Sequence, residues 1–293
     1  MVRDTAIANE LATYVAGWAP DPVETVDLIT RERLTQLART LDFDEGRSAD
    51  DTVPILGHWT AFPDWPATSE LGMDGHPAEG QFYPPIPNRR RMFAGSTVES
   101  YRPVRVGIST VRRSSVESVT PKSGRSGEML FVVIRHELSQ SGRLCRIERQ
   151  QIVYRSDIGG PPRTLERSVG GVKPSADSTW AATRSVASTT LFRFSAITAN
   201  AHRIHYDAPY ATEVEGYPDL VVHGPLLAIL MADLVGRAWG DSRVEKFSFR
   251  LQHPLFANDP FVVEGVSAEN GLSASLSVKG SGGTAATASA VRS

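Results

Sequence analysis

The stretch VVHGPLLAILMADLVGRA, residues 221–238, decides the fold of this chain. Pro225 suits the first position of a helix, because proline has no N–H to leave unpaired and its fixed φ matches the helical value. Residues 226–232 are apolar on nearly every helical face. A helix that is apolar all round must be enclosed by other elements. We therefore predict a buried central helix over residues 225–238.

The residues that follow this helix supply the sheet that encloses it. Strand-like runs lie at residues 244–251, 261–267, 272–279 and 284–291. In the third run Leu272, Ala274, Leu276 and Val278 alternate with serines and a lysine, which is typical of a half-buried antiparallel strand. These runs predict an antiparallel sheet curled around the helix, preceded by one more strand near residues 191–194.

The first part of the chain shows the same coarse order. Leu34, Leu37 and Leu41 recur at helical spacing, and strand-like runs follow at residues 101–109, 129–136 and 144–154. Residues 123–127 and 139–142 have the composition of turns. We predict two halves, each a helix wrapped by a sheet. Pairing the two sheets edge to edge would leave fewer strand edges exposed.

Glycine and proline mark the boundary between the halves. They cluster at residues 159–162 and again at 170–174, where they favour a linker over a helix or central strand. We predict an N-terminal half over residues 1–157, a linker over 158–175 and a C-terminal half over 176–293.

Composition excludes several classes of function. The chain has 293 residues and a formal charge of −2, so it has no general attraction to nucleic acid or to an anionic membrane. Cys145 is the only cysteine, which excludes an intramolecular disulfide and a thiol-rich metal site. The N-terminus lacks the apolar core of a signal peptide, and no stretch approaches the roughly 20 apolar residues of a membrane span. We expect a cytoplasmic protein.

The segment NAHRIHYD, residues 200–207, carries the main catalytic candidates. An imidazole accepts and returns a proton near neutral pH, and a nearby amide such as Asn200 can hold a water molecule. The spacing of His202 and His205 also allows a metal site with His223 or Asp207 as third ligand, or a polar turn that caps a helix. The structural interpretation is favoured for His58, His136 and His253, and His76 is expected to be solvated.

Gly224 is a candidate for stabilising negative charge. The first N–H groups of a helix lack intrahelical partners, and a helix N-terminus carries about half a positive charge. Such a position can stabilise a developing oxyanion, as on a thioester. The alternative is that Gly224-Pro225 is an ordinary helix entry.

Two segments together resemble a known superfamily. Residues 194–207 (FSAITANAHRIHYD) and 221–227 (VVHGPLL) resemble the MaoC-like hydratases and dehydratases, in particular the mesaconyl-CoA hydratase type and the hydroxyacyl-thioester dehydratases. Residues 87–95, 124–127 and 148–154 are similar to the N-terminal half of that family. The resemblance implies an α+β double hot-dog fold, in which two antiparallel sheets each wrap around a long central helix.

The resemblance also implies an activity: addition or removal of water across an α,β-unsaturated acyl-CoA, with no metal and no cofactor beyond the CoA thioester itself. In the broader superfamily an aspartate and a histidine five residues apart form the catalytic pair. These positions fall on Asn200 and His205, and Asn200 matches the mesaconyl-CoA type. Gly224 matches the residue whose N–H holds the oxyanion, and the N-terminal half is implied to supply the acyl pocket.

The substrate is less defined by the sequence. A dicarboxylic acyl-CoA needs a cation for its free carboxylate, and guanidinium binds carboxylate in a bidentate manner. The candidates for binding substrate are His202, Arg203, His223, Arg89, Arg90 and Arg91, and the three consecutive arginines could instead meet the CoA phosphates. A general 3-hydroxyacyl-thioester dehydratase, a hot-dog thioesterase and a non-catalytic acyl-CoA-binding module remain alternatives. We expect no nucleic-acid or membrane partner, and a homodimer stays open.

Overall fold

A computed structural model describes residues 10–44, 51–87, 89–124, 127–156, 165, 167, 170–239 and 244–292. The helices of this part of the chain are α1 (Glu10–Tyr14), α2 (Arg31–Thr40), α3 (Ser188–Ile197) and α4 (Gly224–Ala238). The strands are β1 (Val23–Leu28), β2 (Arg89–Ser100), β3 (Ser109–Gly124), β4 (Gly127–Gln140), β5 (Arg143–Ser156), β6 (Trp180–Arg184), β7 (Val244–Leu251), β8 (Phe261–Ser267), β9 (Ser273–Gly280) and β10 (Gly283–Arg292). No helix within these ranges has the length and apolarity needed to cross a bilayer.

All ten strands form one antiparallel sheet, in the order β1-β3-β4-β5-β2-β7-β10-β9-β8-β6. The first five in this order come from the N-terminal half and the last five from the C-terminal half. They join where β2 pairs with β7, with Gly95 opposite Arg250 and Glu99 opposite Lys246. The predicted edge-to-edge pairing is therefore present, and it merges the two sheets into one.

Helix α4 is the central helix of the C-terminal half. Its buried residues run from Leu226 to Ala232 and continue at Leu234 and Val235. Strands β6 to β10 pack around it, so the sequence correctly indicated an enclosed helix. The helix begins one residue earlier than predicted, because Gly224 occupies the first helical position and Pro225 the second.

Helix α2 of the N-terminal half is shorter than α4 and has different packing partners. Thr30 caps α2, since its side chain accepts a hydrogen bond from the Arg33 N–H at 3.2 Å. Helix α2 packs against α3 and the turn Gly57–Thr60. Leu37 and Leu41 join the same apolar core as α4, so the two halves share a core.

The sequence placed β7 to β10 within one residue of their ends, but it did not indicate β1, β2, β3 or β6 and was wrong in two other places. Residues 191–194 lie in α3, not in a strand, because Leu191 and Phe194 are three apart and fully buried on one helical face. Such a short apolar run fits either element. Of the predicted strand at residues 101–109, only Ser109 lies in β3, and residues 101–108 form the connection from β2 to β3. In this connection Pro103 cannot donate to a ladder, and Gly107 turns the chain with a φ of 73°. The predicted linker lies largely outside the described residues.

Candidate active site

The end of helix α3 sets the position of Asn200. Ala199 adopts a left-handed φ of 52°, and the Asn200 N–H donates to the carbonyl of Ser195 at 2.9 Å. Together with the longer bond from the Ala199 N–H to the Ala196 carbonyl, this is a Schellman motif. It ends the helix and turns the chain into the short 3₁₀ turn Arg203–His205.

His205 is fixed by two neighbours. Its Nδ1 donates to the carbonyl of Val221 at 2.7 Å, which leaves the lone pair on Nε2. Its ring stacks on His223 with 3.6 Å between ring centroids and 20° between planes. Burial lowers the pKa of His205 to about 4, outweighing the opposite effect of the bond to Val221. At neutral pH the imidazole is therefore uncharged and its Nε2 can accept a proton.

His223 lies behind His205, away from the cavity. It has no exposed surface, and its Nε2 lies 2.9 Å from the Ser195 hydroxyl. A side chain without exposed surface cannot touch a substrate in this arrangement. The structure thus places His223 where it orients His205, which differs from the substrate-binding role expected from the sequence.

Asn200 has a side chain with one fixed end. Its Oδ1 accepts the backbone N–H of His202 at 3.1 Å, an interaction that also supports the turn toward His205. The NH₂ group retains two donors, and a water oxygen can accept from either of them. Asn200 and His205 both line one large cavity.

Gly224 lines the same cavity at the start of α4. As the first helical residue it has an N–H without an intrahelical acceptor. A Cβ at this position would collide with the side chain of Leu251 on β7. A larger residue here would require the Leu251 side chain to move, so β7 restricts this position in addition to any approach of a ligand.

The cavity has a volume of about 1120 Å³ and is built by both halves. The C-terminal half contributes His202, Asn200, His205 and Gly224. The N-terminal half contributes aromatic side chains and several polar ones: Trp59, Phe62, Phe93, Phe131, His58, Arg112, His136, Glu148 and Gln150. A ligand that fills this cavity therefore touches both halves.

A buried polar cluster in the N-terminal half escaped the sequence analysis. Glu148 accepts hydrogen bonds from His58 Nε2 at 2.7 Å, Trp59 Nε1 at 3.1 Å and the Ser96 hydroxyl at 2.9 Å. His58 Nδ1 in turn accepts from Arg146 at 3.1 Å. Despite its burial, these partners lower the pKa of Glu148 to about 2, so the carboxylate is charged.

The available signal for this cluster was the alternation on β5. Arg146, Glu148 and Gln150 recur at every second position, so they share one face of a strand that also buries apolar residues. The distant His58 could not be assigned to that face without the fold.

His76 is not solvated as the sequence suggested. Its side chain is 15% exposed, and its Nδ1 lies 2.9 Å from Asp74 Oδ2. Its ring lies 4.2 Å from that of His202, between centroids. Asp74, His76 and His202 thereby form a group, within the described ranges, whose ligand atoms are close enough to hold a metal ion. The absence of a metal requirement stays a prediction.

The arginines expected to bind substrate are divided between two places. Arg203 is held by Asp207 through bonds of 2.9 and 2.7 Å and lies over the Tyr210 ring, and it does not line the large cavity. Arg89 and Arg90 line a separate pocket of about 620 Å³, where Arg90 pairs with Glu215 at 3.3 Å. Arg91 lines both cavities. The structure brings only Arg91 of these four into the cavity with His205.

Known proteins match this chain over most of its length. The sequence model of hydroxyacyl-thioester dehydratase type 2 matches residues 56–257. Mesaconyl-C(4)-CoA hydratase of Chloroflexus aurantiacus is 41% identical over 281 residues, which cover 94% of this chain and 96% of that protein. The mitochondrial hydroxyacyl-thioester dehydratase type 2 of Schizosaccharomyces pombe is 28% identical over 222 residues, covering 66% of this chain and 70% of its own.

Solved structures show the same fold. A MaoC-like dehydratase from Phytophthora capsici superimposes with a TM-score of 0.69 at 13% identity, covering 94% of this chain and 95% of its own. A Mycobacterium tuberculosis protein described as a double hotdog fold gives 0.57 at 13% identity, covering 94% and 96%. The predicted double hot-dog fold and the resemblance to MaoC-like proteins are both confirmed. By the extent of these matches, the chain belongs to the hydroxyacyl-thioester dehydratase type 2 family.

Proposed function

We propose that this protein is a hydro-lyase that adds water to, or removes it from, an α,β-unsaturated acyl-CoA. The observation that carries the proposal is the fixed tautomer of His205, whose Nδ1 is held by Val221 while Nε2 remains available beside Asn200 and Gly224. Both matched relatives are named for this class of reaction.

Hydration begins with activation of water. Asn200 donates a hydrogen bond to the water oxygen, and His205 Nε2 takes one of its protons. The lowered pKa of His205 keeps the imidazole neutral and ready to accept. The oxygen of the water then forms a bond with the β-carbon of the substrate.

Addition at the β-carbon moves negative charge onto the thioester oxygen. The Gly224 N–H donates to that oxygen, and the N-terminal end of α4 supports the charge. This donor is already in place before the reaction, so stabilising the charge needs no rearrangement of the helix.

The reaction closes when His205 returns its proton to the α-carbon. One residue serving both steps implies that hydrogen and hydroxyl add to the same face of the double bond. The addition of water is redox-neutral overall, so the proposal needs no redox cofactor. The N-terminal half contributes the far wall of the acyl pocket and no second catalytic pair.

A dicarboxylic, mesaconyl-type acyl group is the substrate class that we favour. The relative named mesaconyl-C(4)-CoA hydratase matches nearly all of the chain at 41% identity. The presence of charged and hydrogen-bonding side chains in the N-terminal wall of the cavity supports a polar acyl end over a long alkyl chain.

The direct test is incubation with a panel of enoyl-CoA thioesters, including crotonyl-CoA and mesaconyl-C4-CoA. Hydration adds 18 mass units and removes the absorbance of the conjugated thioester. A thioesterase would instead release free CoA, which a thiol reagent detects. Binding without either change would indicate a non-catalytic acyl-CoA-binding module and overturn the proposal.

A further inference from the structure

Arg112 is a cation in the cavity wall that has no close counter-ion among the described residues. It lies on β3 in the N-terminal half and lines the cavity that also contains His205. Its Nε is buried and has no hydrogen-bond partner among the described residues. Its one hydrogen bond there joins Nη1 to the Phe62 carbonyl at 3.4 Å, and no described carboxylate lies within 4 Å of it. Burial lowers the pKa of Arg112, as expected for a cation that is partly desolvated without a close anion.

The nearest acidic groups have other partners or lie in solvent. Glu148 is bound by His58, Trp59 and Ser96. Asp27 pairs with Arg33 at 2.7 Å and accepts the Phe62 N–H at 2.8 Å. Asp64 lies at the cavity wall but is exposed. The negative charge of Glu148 offsets the positive charge of Arg146. The buried polar groups of this wall therefore have a net positive charge, which is that of Arg112.

Phe62 holds the guanidinium in place. The Arg112 guanidinium carbon lies 4.9 Å from the centre of the Phe62 ring. Phe62 adopts a left-handed φ of 55°, which is unfavourable for a bulky side chain and persists only where surrounding contacts impose it. The bond from its N–H to Asp27 is one such contact. The local fold therefore accepts strain at a position that orients Arg112.

We propose that Arg112 binds the free carboxylate of a dicarboxylic acyl-thioester, while Gly224 binds the thioester oxygen and His205 acts on the double bond between these two groups. The inference rests on the proposed hydratase function and names its substrate class. An alkyl chain next to this guanidinium would displace the water bound to it without providing hydrogen bonds to replace that water. A carboxylate replaces that water with paired, charge-assisted hydrogen bonds. Of the arginines suggested by the sequence, Arg203 is bound to Asp207 outside this cavity and Arg89 and Arg90 line the other pocket, which leaves Arg91 as the competing cation.

The test compares mesaconyl-C4-CoA, which carries a carboxylate on the β-carbon, with crotonyl-CoA, which lacks that carboxylate. For Arg112→Leu we expect kcat/KM for mesaconyl-C4-CoA to fall by about ten- to a hundred-fold, the usual effect of losing a hydrogen-bonded ion pair. The rate with crotonyl-CoA should stay the same or rise, which also shows that the variant is folded. Arg112→Lys should recover part of the loss, because it keeps the charge but not the paired donors.

Two further variants complete the design. Arg113→Leu is the matched control, since Arg113 neighbours Arg112 on the opposite face of β3 and is exposed; both rates should be unchanged. Arg91→Leu tests the competing cation in the same cavity. A selective loss in Arg91→Leu, or an equal loss on both thioesters in Arg112→Leu, would overturn the assignment of Arg112. If the unaltered protein hydrates neither thioester, the proposed function itself fails.

Discussion

His205 combines a fixed orientation with a depressed basicity. The Val221 carbonyl holds one ring nitrogen and the His223 ring covers one face, so the remaining nitrogen has a fixed direction. We expect His205→Ala to lower hydratase turnover by about a hundred- to ten-thousand-fold, the usual range for losing a general acid–base. Stopped-flow or absorbance assays with a circular dichroism spectrum of the variant check this. Turnover near that of the unaltered protein in a folded variant would exclude His205 as the base.

Asn200 is the residue proposed to hold the water molecule, so a substitution at this position tests the same chemistry. Asn200→Asp retains an oxygen for the His202 N–H, so the turn is preserved, but it adds a negative charge near His205. That charge raises the pKa of the imidazole, which starts at about 4. Since His205 must be neutral to accept a proton, the acidic limb of kcat/KM against pH should move upward. An unmoved limb with normal turnover would indicate that Asn200 only supports the turn.

At the scale of elements, the start of α4 depends on its contact with β7. A Cβ on residue 224 meets Leu251, so Gly224→Ala should displace the helix start and with it the N–H offered to the oxyanion. We expect a loss of turnover and a lower melting temperature. Adding Leu251→Ala should restore much of the turnover, because alanine keeps the N–H and the space is now free. If Gly224→Ala alone matches the unaltered protein in both measurements, the contact is not limiting.

Elements also show what the sequence could and could not reveal. The enclosed helix α4 and strands β7 to β10 were predictable, since each carries its own periodicity and stop signals. Leu191 and Phe194 were assigned to a strand because a run of four residues is too short to distinguish the period of a helix from the period of a strand. The site divides in the same way: Asn200, His205 and Gly224 lie in short local motifs, whereas Arg112 and Glu148 face the cavity only because β3 and β5 pair with β4 between them.

At the scale of the whole molecule, the halves are not independent. The pairing of β2 with β7 and the shared core around α4 connect them, and the cavity takes its wall from both. A C-terminal fragment with the catalytic motif would expose the β7 edge and lose the wall that contains Arg112 and Phe62. With the proposed catalytic residues in one half and the proposed polar acyl site in the other, a single motif suffices for the chain.

The burial that keeps His205 uncharged also makes the stability of the folded protein fall at acidic pH. The pKa values of His136 and His205 are both lowered to about 4 by burial, whereas histidine in an unfolded chain titrates near 6.5. Between these values the unfolded chain binds more protons, so stability is full above pH 6.5 and falls as the pH drops toward 4. Each histidine contributes about 1 kcal/mol per pH unit in this window. The paired carboxylates Glu148 and Glu264 have pKa values of about 2, so the stability that they contribute is lost only at lower pH.

Urea unfolding at pH 7, 6 and 5 therefore reports mainly on the histidines. We expect the unfolding free energy to fall across this range, and His136→Gln to reduce the slope by the share of one histidine. His253→Gln controls for the substitution itself, since His253 is exposed in the folded protein. An equal slope in His136→Gln and the unaltered protein would mean that the pKa of His136 does not change on folding. The cavity wall around Glu148 would then have to be more open to water than its burial indicates.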